Sequence, residues 1–193
     1  MAYKAESDSI KTLGIVTAKQ IQKKLGISQP TLSRWVKSGE VLKLSHGFYI
    51  HPGFKIPPQE LDYAVACAKF GPRSAVGGLT ALFHYGLTEH PPAQVWVVVP
   101  PLQAYSNKYY RTLRTKTSPL HGIDNIHHYR MTNIERTILE ALKFATKLGP
   151  RVAITAARTA LKEGKTTEKK LGEMAKQLKL RSVFEKYWEA IVA

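Results

Sequence analysis

Residues 16–50 read VTAKQIQKKLGISQPTLSRWVKSGEVLKLSHGFYI, and this stretch decides how the front of the chain folds. Thr17 is a helix-capping residue, and Gln20 sits three positions on, where a capping box places its second partner. Ile21 and Leu25 share one helical face. Gly26 follows, and glycine tolerates the left-handed backbone that ends a helix in a tight turn. Ile27 supplies an apolar plug for that turn. Ser28 suits the cap of a second helix, with Pro30 in its first turn, where a missing N–H costs little. Leu32 and Trp35 face back toward the first helix, while Gln29, Thr31, Ser33, Arg34 and Lys37 point outward. Val41–Leu44 and Phe48–Ile50 are short β-prone runs, and Ser45-His46-Gly47 between them suits a hairpin tip. The pattern is a winged helix-turn-helix. Short polar donors with Arg and Lys on a protruding helix suit base edges and phosphates in a major groove. The expected DNA contacts are therefore Ser28, Gln29, Thr31, Ser33, Arg34 and Lys37, with Ser45 and His46 of the wing; His46 reads equally well as a solvated turn residue.

The whole chain agrees with a polyanionic partner. It has 193 residues and a net charge of +15, with a sequence pI near 9.9. Such an imbalance favours nucleic acid first. Residues 1–56 hold nine Lys/Arg against three Asp/Glu, and residues 57–193 hold twenty against eleven, so the second part is basic as well. The hydrophobic share of 44% supports a proper core and argues against global disorder. No run of about 18 apolar residues predicts a membrane span. MAYKAESDSIK at the start lacks an apolar signal core, which leads to an expectation of a cytoplasmic protein. The single Cys67 excludes an internal disulfide and a cysteine-rich zinc site, and its apolar surroundings AVACAKF predict a buried structural thiol.

Further along, residues 4–14 predict a short first helix carrying Ile10 and Leu13. HPGFKIPP (51–58) breaks regular structure, and Pro57-Pro58 sets a boundary between a DNA-binding domain at 1–56 and a second domain at 57–193. In that second domain, Glu60–Phe70 and Ser74–Phe83 read as helices, the latter weakened by Gly77-Gly78. Gln94–Val99 (QVWVVV) is a buried strand. Ile126–Arg130 is a second strand, and Tyr105–Thr117 carries no clear pattern. Thr132-Asn133-Ile134-Glu135 reads as a capping box opening a helix to about residue 148. Helices are expected near 151–162, 167–179 and 182–191. The fold class is α+β: a winged helix-turn-helix, then a mixed α/β domain with a small sheet and a helical C-terminus.

Few other groups carry chemistry. Lys108, Arg111, Arg114 and Lys116, with Tyr105, Tyr109 and Tyr110, form a basic-aromatic cluster. It suits phosphate contact with nucleobase stacking, or a solvated charged surface with packed tyrosines. Twelve Lys/Arg against four Asp/Glu between Lys143 and Lys186 read mainly as a solvated outer face. His84, His90, His127 and His128 fit no metal-ligand spacing, so neither metal nor cofactor is expected. No nucleophile elbow or phosphate-cradling glycine loop is present. Glu135 suits helix capping and Arg136 an ion pair.

Four pieces in order resemble the AbiEi antitoxin family of abortive-infection, type IV toxin–antitoxin systems. They are the helix-turn-helix with its GEVLKLSHGFYI wing, SAVGGLTALFHYGL (74–87), the strand QVWVVVP (94–100), and MTNIERTILE (131–140), in which Glu140 follows the Glu-Arg-Thr start. The resemblance covers roughly residues 10–145. It implies a winged-helix domain that represses its own promoter at repeated operator half-sites. It also implies a C-terminal domain with antitoxin activity against a nucleotidyltransferase toxin, without a stable toxin complex. Other readings are a stand-alone winged-helix transcriptional regulator, a nucleic-acid-processing enzyme accessory, and a protein-interaction module with incidental charge. An enzyme would need a carboxylate pair with a Lys near a strand, and Asp124 and Glu135 do not make that pattern.

Overall fold

The computed structural model describes residues 9–44, 47–103, 105, 107–116 and 121–193. The chain forms two compact units, Met1–Ala68 and Lys69–Ala193. The division falls inside helix α4 (Pro58–Phe70), and Pro57-Pro58 stands at the start of that helix. Proline at the first helical position leaves no N–H unsatisfied, so Pro58 opens that helix.

In the first unit, α1 (residues 9–13) precedes β1 (Val16–Thr17), α2 (Ala18–Leu25), α3 (Gln29–Ser38), β2 (Leu42–Lys43) and β3 (Phe48–Ile50). Residues 4–8 of the expected first helix lie outside the described residues. The three strands form one antiparallel sheet in the order β1-β3-β2. Thr17 and Gln20 make the full capping box: Thr17 Oγ1 accepts from Gln20 N, and the Gln20 side chain accepts from Thr17 N at 2.8 Å. Gly26 closes α2 at φ +66° with nothing within 4 Å of where a Cβ would stand, so the left-handed backbone itself selects glycine. Ile10, Val16, Ile21, Leu32, Trp35, Val41 and Tyr49 make the core, with Leu25 and Ile27 packed at its edge.

The second unit holds a five-stranded mixed sheet in the order β6-β5-β4-β8-β7. Its strands are β4 (Ala75–Val76), β5 (Val95–Val99), β6 (Tyr110–Arg114), β7 (Ile123–Ile126) and β8 (Tyr129–Thr132). Three features of this sheet correct the sequence reading. Ala75–Val76 is a strand between β5 and β8, and α5 starts only at Gly78 and runs to His84. The unassigned stretch contains β6, parallel to β5. The single strand expected at 126–130 is a hairpin turn, with His127-His128 between β7 and β8 and His127 at φ +29°. Gly77 explains the first correction. A Cβ there would meet Val98 Cγ2 at 2.4 Å, so the residue follows from sheet packing and not from a weakened helix.

Helix α6 (Ile134–Lys143) is the hub of the helical part and packs on α5, α8 (Pro150–Lys162), α9 (Glu168–Gln177) and α10 (Arg181–Val192). The expected long helix breaks at Phe144 into α6 and α7 (Ala145–Leu148). Ala153, Ala156, Ala157 and Ala160 are buried at helical spacing on α8, and small side chains there let neighbouring helices approach closely. The cap of α6 is Asn133, which accepts from Arg136 N at 2.9 Å, and not Thr132. Thr132 belongs to β8, and its hydroxyl lies 2.7 Å from that of Thr137. Glu135 accepts from Thr166 instead of closing a capping box. Arg136 makes the expected ion pair, with Glu140 at 3.0 Å, and both side chains are fully buried. Burial and the nearby Asp124 carboxylate hold the Tyr85 phenol well above its ordinary pKa, so it stays protonated and donates to Thr132 O at 2.9 Å. Cys67 is buried, as its apolar context predicted.

Two stability measurements follow. Trp35→Ala is expected to destabilise the first unit by about 3–5 kcal/mol, read from chemical denaturation followed by circular dichroism. Glu140→Gln leaves the Arg136 charge buried without its countercharge and is expected to cost about 3–5 kcal/mol; pairing it as Arg136→Met with Glu140→Leu should recover most of that loss.

Candidate nucleic-acid interface

Helix α3 has two faces fixed by different forces. Its inner face is Leu32, fully buried, and Trp35, 2% exposed. The ends are fixed as well. Ser28 caps the helix through Thr31 N, and Gly39 ends it at φ +78°. Trp35 O then accepts from Val41 N at 3.2 Å, which ties the helix end to the entry of β2. With the inner face and both ends held, the outward direction of Ser33, Arg34 and Lys37 is determined. All three are exposed, and among the described residues none makes a hydrogen bond or ion pair. Ten residues of helix span about 15 Å, which suits a groove about 12 Å wide.

The remaining expected contacts sort differently. Ser28 Oγ and Thr31 Oγ1 lie 3.0 Å apart, and Ser28 also accepts from Thr31 N, so both hydroxyls take part in the cap. Gln29 Oε1 accepts from Gln22 Nε2 at 2.8 Å, a bond that ties α2 to α3 across the turn. These three residues build and aim the helix, and Ser33, Arg34 and Lys37 form its open face. Ser45 and His46 lie outside the described residues; Leu44 N donates to Phe48 O at 2.7 Å just before the tip, and Gly47 follows it at φ +78°.

Charge around this face is one-sided. Residues 9–56 contain eight Lys/Arg and a single acid, Glu40, whose carboxylate accepts from Ser38 Oγ. Lys11, Lys19, Lys23, Lys24 and Lys43 are all exposed. The motif reading passed over them because it looked only at α3 and the wing tip; the charge tally was the signal that points to them. Lys23 and Lys24 also stand in the last turn of α2, where cations complement the helix dipole.

In the second unit, Arg111 and Arg114 stand three apart on β6 and so on opposite faces of the sheet, with Lys108 just before the strand and Lys116 just after it. Arg111 stacks over the Trp96 ring at 4.5 Å, and Lys108 stands over the Tyr109 ring at 4.9 Å. Tyr110 is buried, so the third tyrosine of the cluster belongs to the core. Among the described residues no group of three or more His, Cys, Asp or Glu is placed to hold a metal ion. None of the described helices is long and apolar enough to cross a membrane.

Residues 8–51 match the family of AbiEi antitoxin transcriptional regulators. The match spans the winged helix and leaves the second unit outside it. No curated protein matches the chain.

The division of labour on α3 is measurable without any ligand. Ser28→Ala is expected to lower the stability of the first unit by about 0.5–2 kcal/mol. Ser33→Ala, on the open face, should stay within about 0.5 kcal/mol of wild type. Equal losses would show that the two serines share one role.

Proposed function

From the premise that the N-terminal segment is an AbiEi-type antitoxin regulator module, we propose that this chain is a DNA-binding antitoxin of a type IV toxin–antitoxin system. It represses its own operon through the first unit and counteracts a nucleotidyltransferase toxin through the second, without a stable toxin complex. It acts in the cytoplasm and catalyses no reaction of its own. The observation that carries the DNA half is the open face of α3: Ser33, Arg34 and Lys37 are exposed and unpaired among the described residues on a helix held at both ends. Arg34 presents the donor fork that matches guanine O6 and N7, and Lys37 presents a point charge suited to phosphate. Gln29 and Thr31 approach the duplex at the helix start, with Ser28, Ser45 and His46 beside the backbone. Repeated half-sites in the operator fit a small module that covers one major-groove segment at a time. The toxin half rests on the order of SAVGGLTALFHYGL, QVWVVVP and MTNIERTILE, which lie in β4–α5, β5 and β8–α6.

A stand-alone transcriptional regulator is the second reading, favoured by the family match ending at residue 51. One pair of assays separates the two. Arg34→Ala is expected to weaken binding to the duplex upstream of the chain's own reading frame by about 1–3 kcal/mol with relaxed specificity, while Lys37→Ala weakens all duplexes alike. The double variant should derepress a promoter fusion yet still rescue cells that express the neighbouring toxin. Loss of repression with no rescue even by wild type selects the stand-alone regulator. Unchanged affinity in both single variants removes α3 as the reading element.

A further inference from the structure

The second unit carries a surface that operator binding by α3 does not use. At its end nearest residue 105, the exposed rings of Tyr105 and Tyr109 are 43% and 45% accessible. Each has a cation over one face, which leaves the other face for a base: Lys69 Nζ stands 5.0 Å from the Tyr105 ring centre, and Lys108 Nζ stands 4.9 Å from that of Tyr109. The rings are held in place by their own backbone. Asn107 Oδ1 accepts from both Tyr109 N and Tyr110 N at 2.9 Å, and Asn107 Nδ2 donates to the Tyr105 hydroxyl at 3.1 Å. Tyr105 N donates to the Thr112 hydroxyl, which itself donates to Tyr105 O at 2.7 Å.

From there β6 leads away as the edge strand of the sheet, carrying Arg114 on the face that Thr112 shares, and Lys116 follows, while Arg111 turns to the other face and stacks on Trp96. Lys116 and Arg73 border a cavity of about 190 Å³, large enough for a phosphoryl group, whose described lining contains no carboxylate. Among the described residues Lys108, Arg114, Lys116 and Arg73 make no hydrogen bond or ion pair. Fixed, accessible aromatic faces followed by a line of unneutralised cations are the two components of a single-strand binding surface: bases stack on the rings and the backbone follows the charges. A duplex keeps its base faces inside its own stack and has no use for the rings.

We infer that the second unit binds single-stranded nucleic acid along β6, with bases stacked on Tyr105 and Tyr109 and phosphates held by Lys108, Arg114 and Lys116. This activity is independent of operator recognition. The bland alternative is a solvated basic strand whose tyrosines only pack.

The test uses full-length protein carrying Arg34→Ala and Lys37→Ala, so that duplex reading by α3 is disabled. Fluorescence anisotropy follows its binding to labelled oligo(U), to oligo(dT) and to a random duplex of equal length. The single strands are expected to bind more tightly than the duplex. Replacing Lys108, Arg114 and Lys116 with Gln should flatten the log–log salt slope by about 2.1, at about 0.7 per single-strand phosphate contact. Replacing Tyr105 and Tyr109 with Ala should instead lower affinity about fivefold to a hundredfold for each stacked base while leaving that slope unchanged. In unsubstituted protein, photocrosslinking from 5-iodouracil oligonucleotides should label the 105–111 peptide, a readout that no folding defect in a variant affects. The inference is overturned if duplex competes as well as single strands, if the tyrosine variant binds as before, or if crosslinks fall only within residues 18–44. A stronger signal with oligo(U) than with oligo(dT) assigns the surface to RNA, and the reverse to single-stranded DNA.

Discussion

Trp35 buries its indole against the small core of the first unit, and its carbonyl accepts a hydrogen bond from Val41 N. One residue therefore sets both the rotation of α3 and the point where the chain turns into the wing. Helix geometry makes this strict, because each residue advances about 100° around the axis. A slip of one position would carry either Arg34 into Trp35's place in the core or Trp35 out to Arg34's exposed place. Burying an unpaired guanidinium costs several kcal/mol, and exposing a large ring loses its burial, so no neighbouring register competes. The open face of Ser33, Arg34 and Lys37 is thus a consequence of what happens on the opposite side of the helix.

The second unit rests on a different kind of constraint. Helix α6 is buried from Arg136 through Leu142, including the Arg136–Glu140 pair, and Arg136 Nη1 reaches His121 O at 2.6 Å. A buried pair of this kind adds little net stability compared with apolar side chains of similar volume. It does constrain geometry, since the guanidinium joins α6 to the chain entering β7. Burial also pulls the Lys143 ammonium below its ordinary pKa, one helical turn past Glu140. Polar groups here are held by specific partners, whereas Lys108, Arg114 and Lys116 are exposed to solvent and make no hydrogen bond or ion pair among the described residues.

The sequence was most legible where the governing signals are short-range. Thr17, Gln20, Gly26 and Ser28 act within four residues, and they placed α2 and the start of α3. Leu32 and Trp35 at helical spacing gave its core. Partners remote in sequence were harder to read. Ala75–Val76 is a strand because Val76 pairs with Val97 and Met131, and nothing local to residues 75–76 announces that. Gly77-Gly78 was visible as punctuation, but its meaning depends on Val98 and Leu113 standing where Cβ atoms would be. The cap of α6 moved by one residue because β8 claims Thr132 for the sheet. The bond from Gln22 to Gln29 Oε1, seven residues apart, was likewise not announced locally. The composition tally held information that the motif reading left aside, in the exposed lysines of α2 and β2.

The central claim is that the outward face of α3 meets DNA, and amide hydrogen exchange on the full-length protein tests it most directly. Exchange is compared with and without a duplex carrying the sequence upstream of the chain's own reading frame. The account predicts that added protection concentrates at residues 28–44, across the cap of α3, its open face and the entry to the wing. Protection confined to residues 69–193, or absent throughout at saturating duplex, would contradict it.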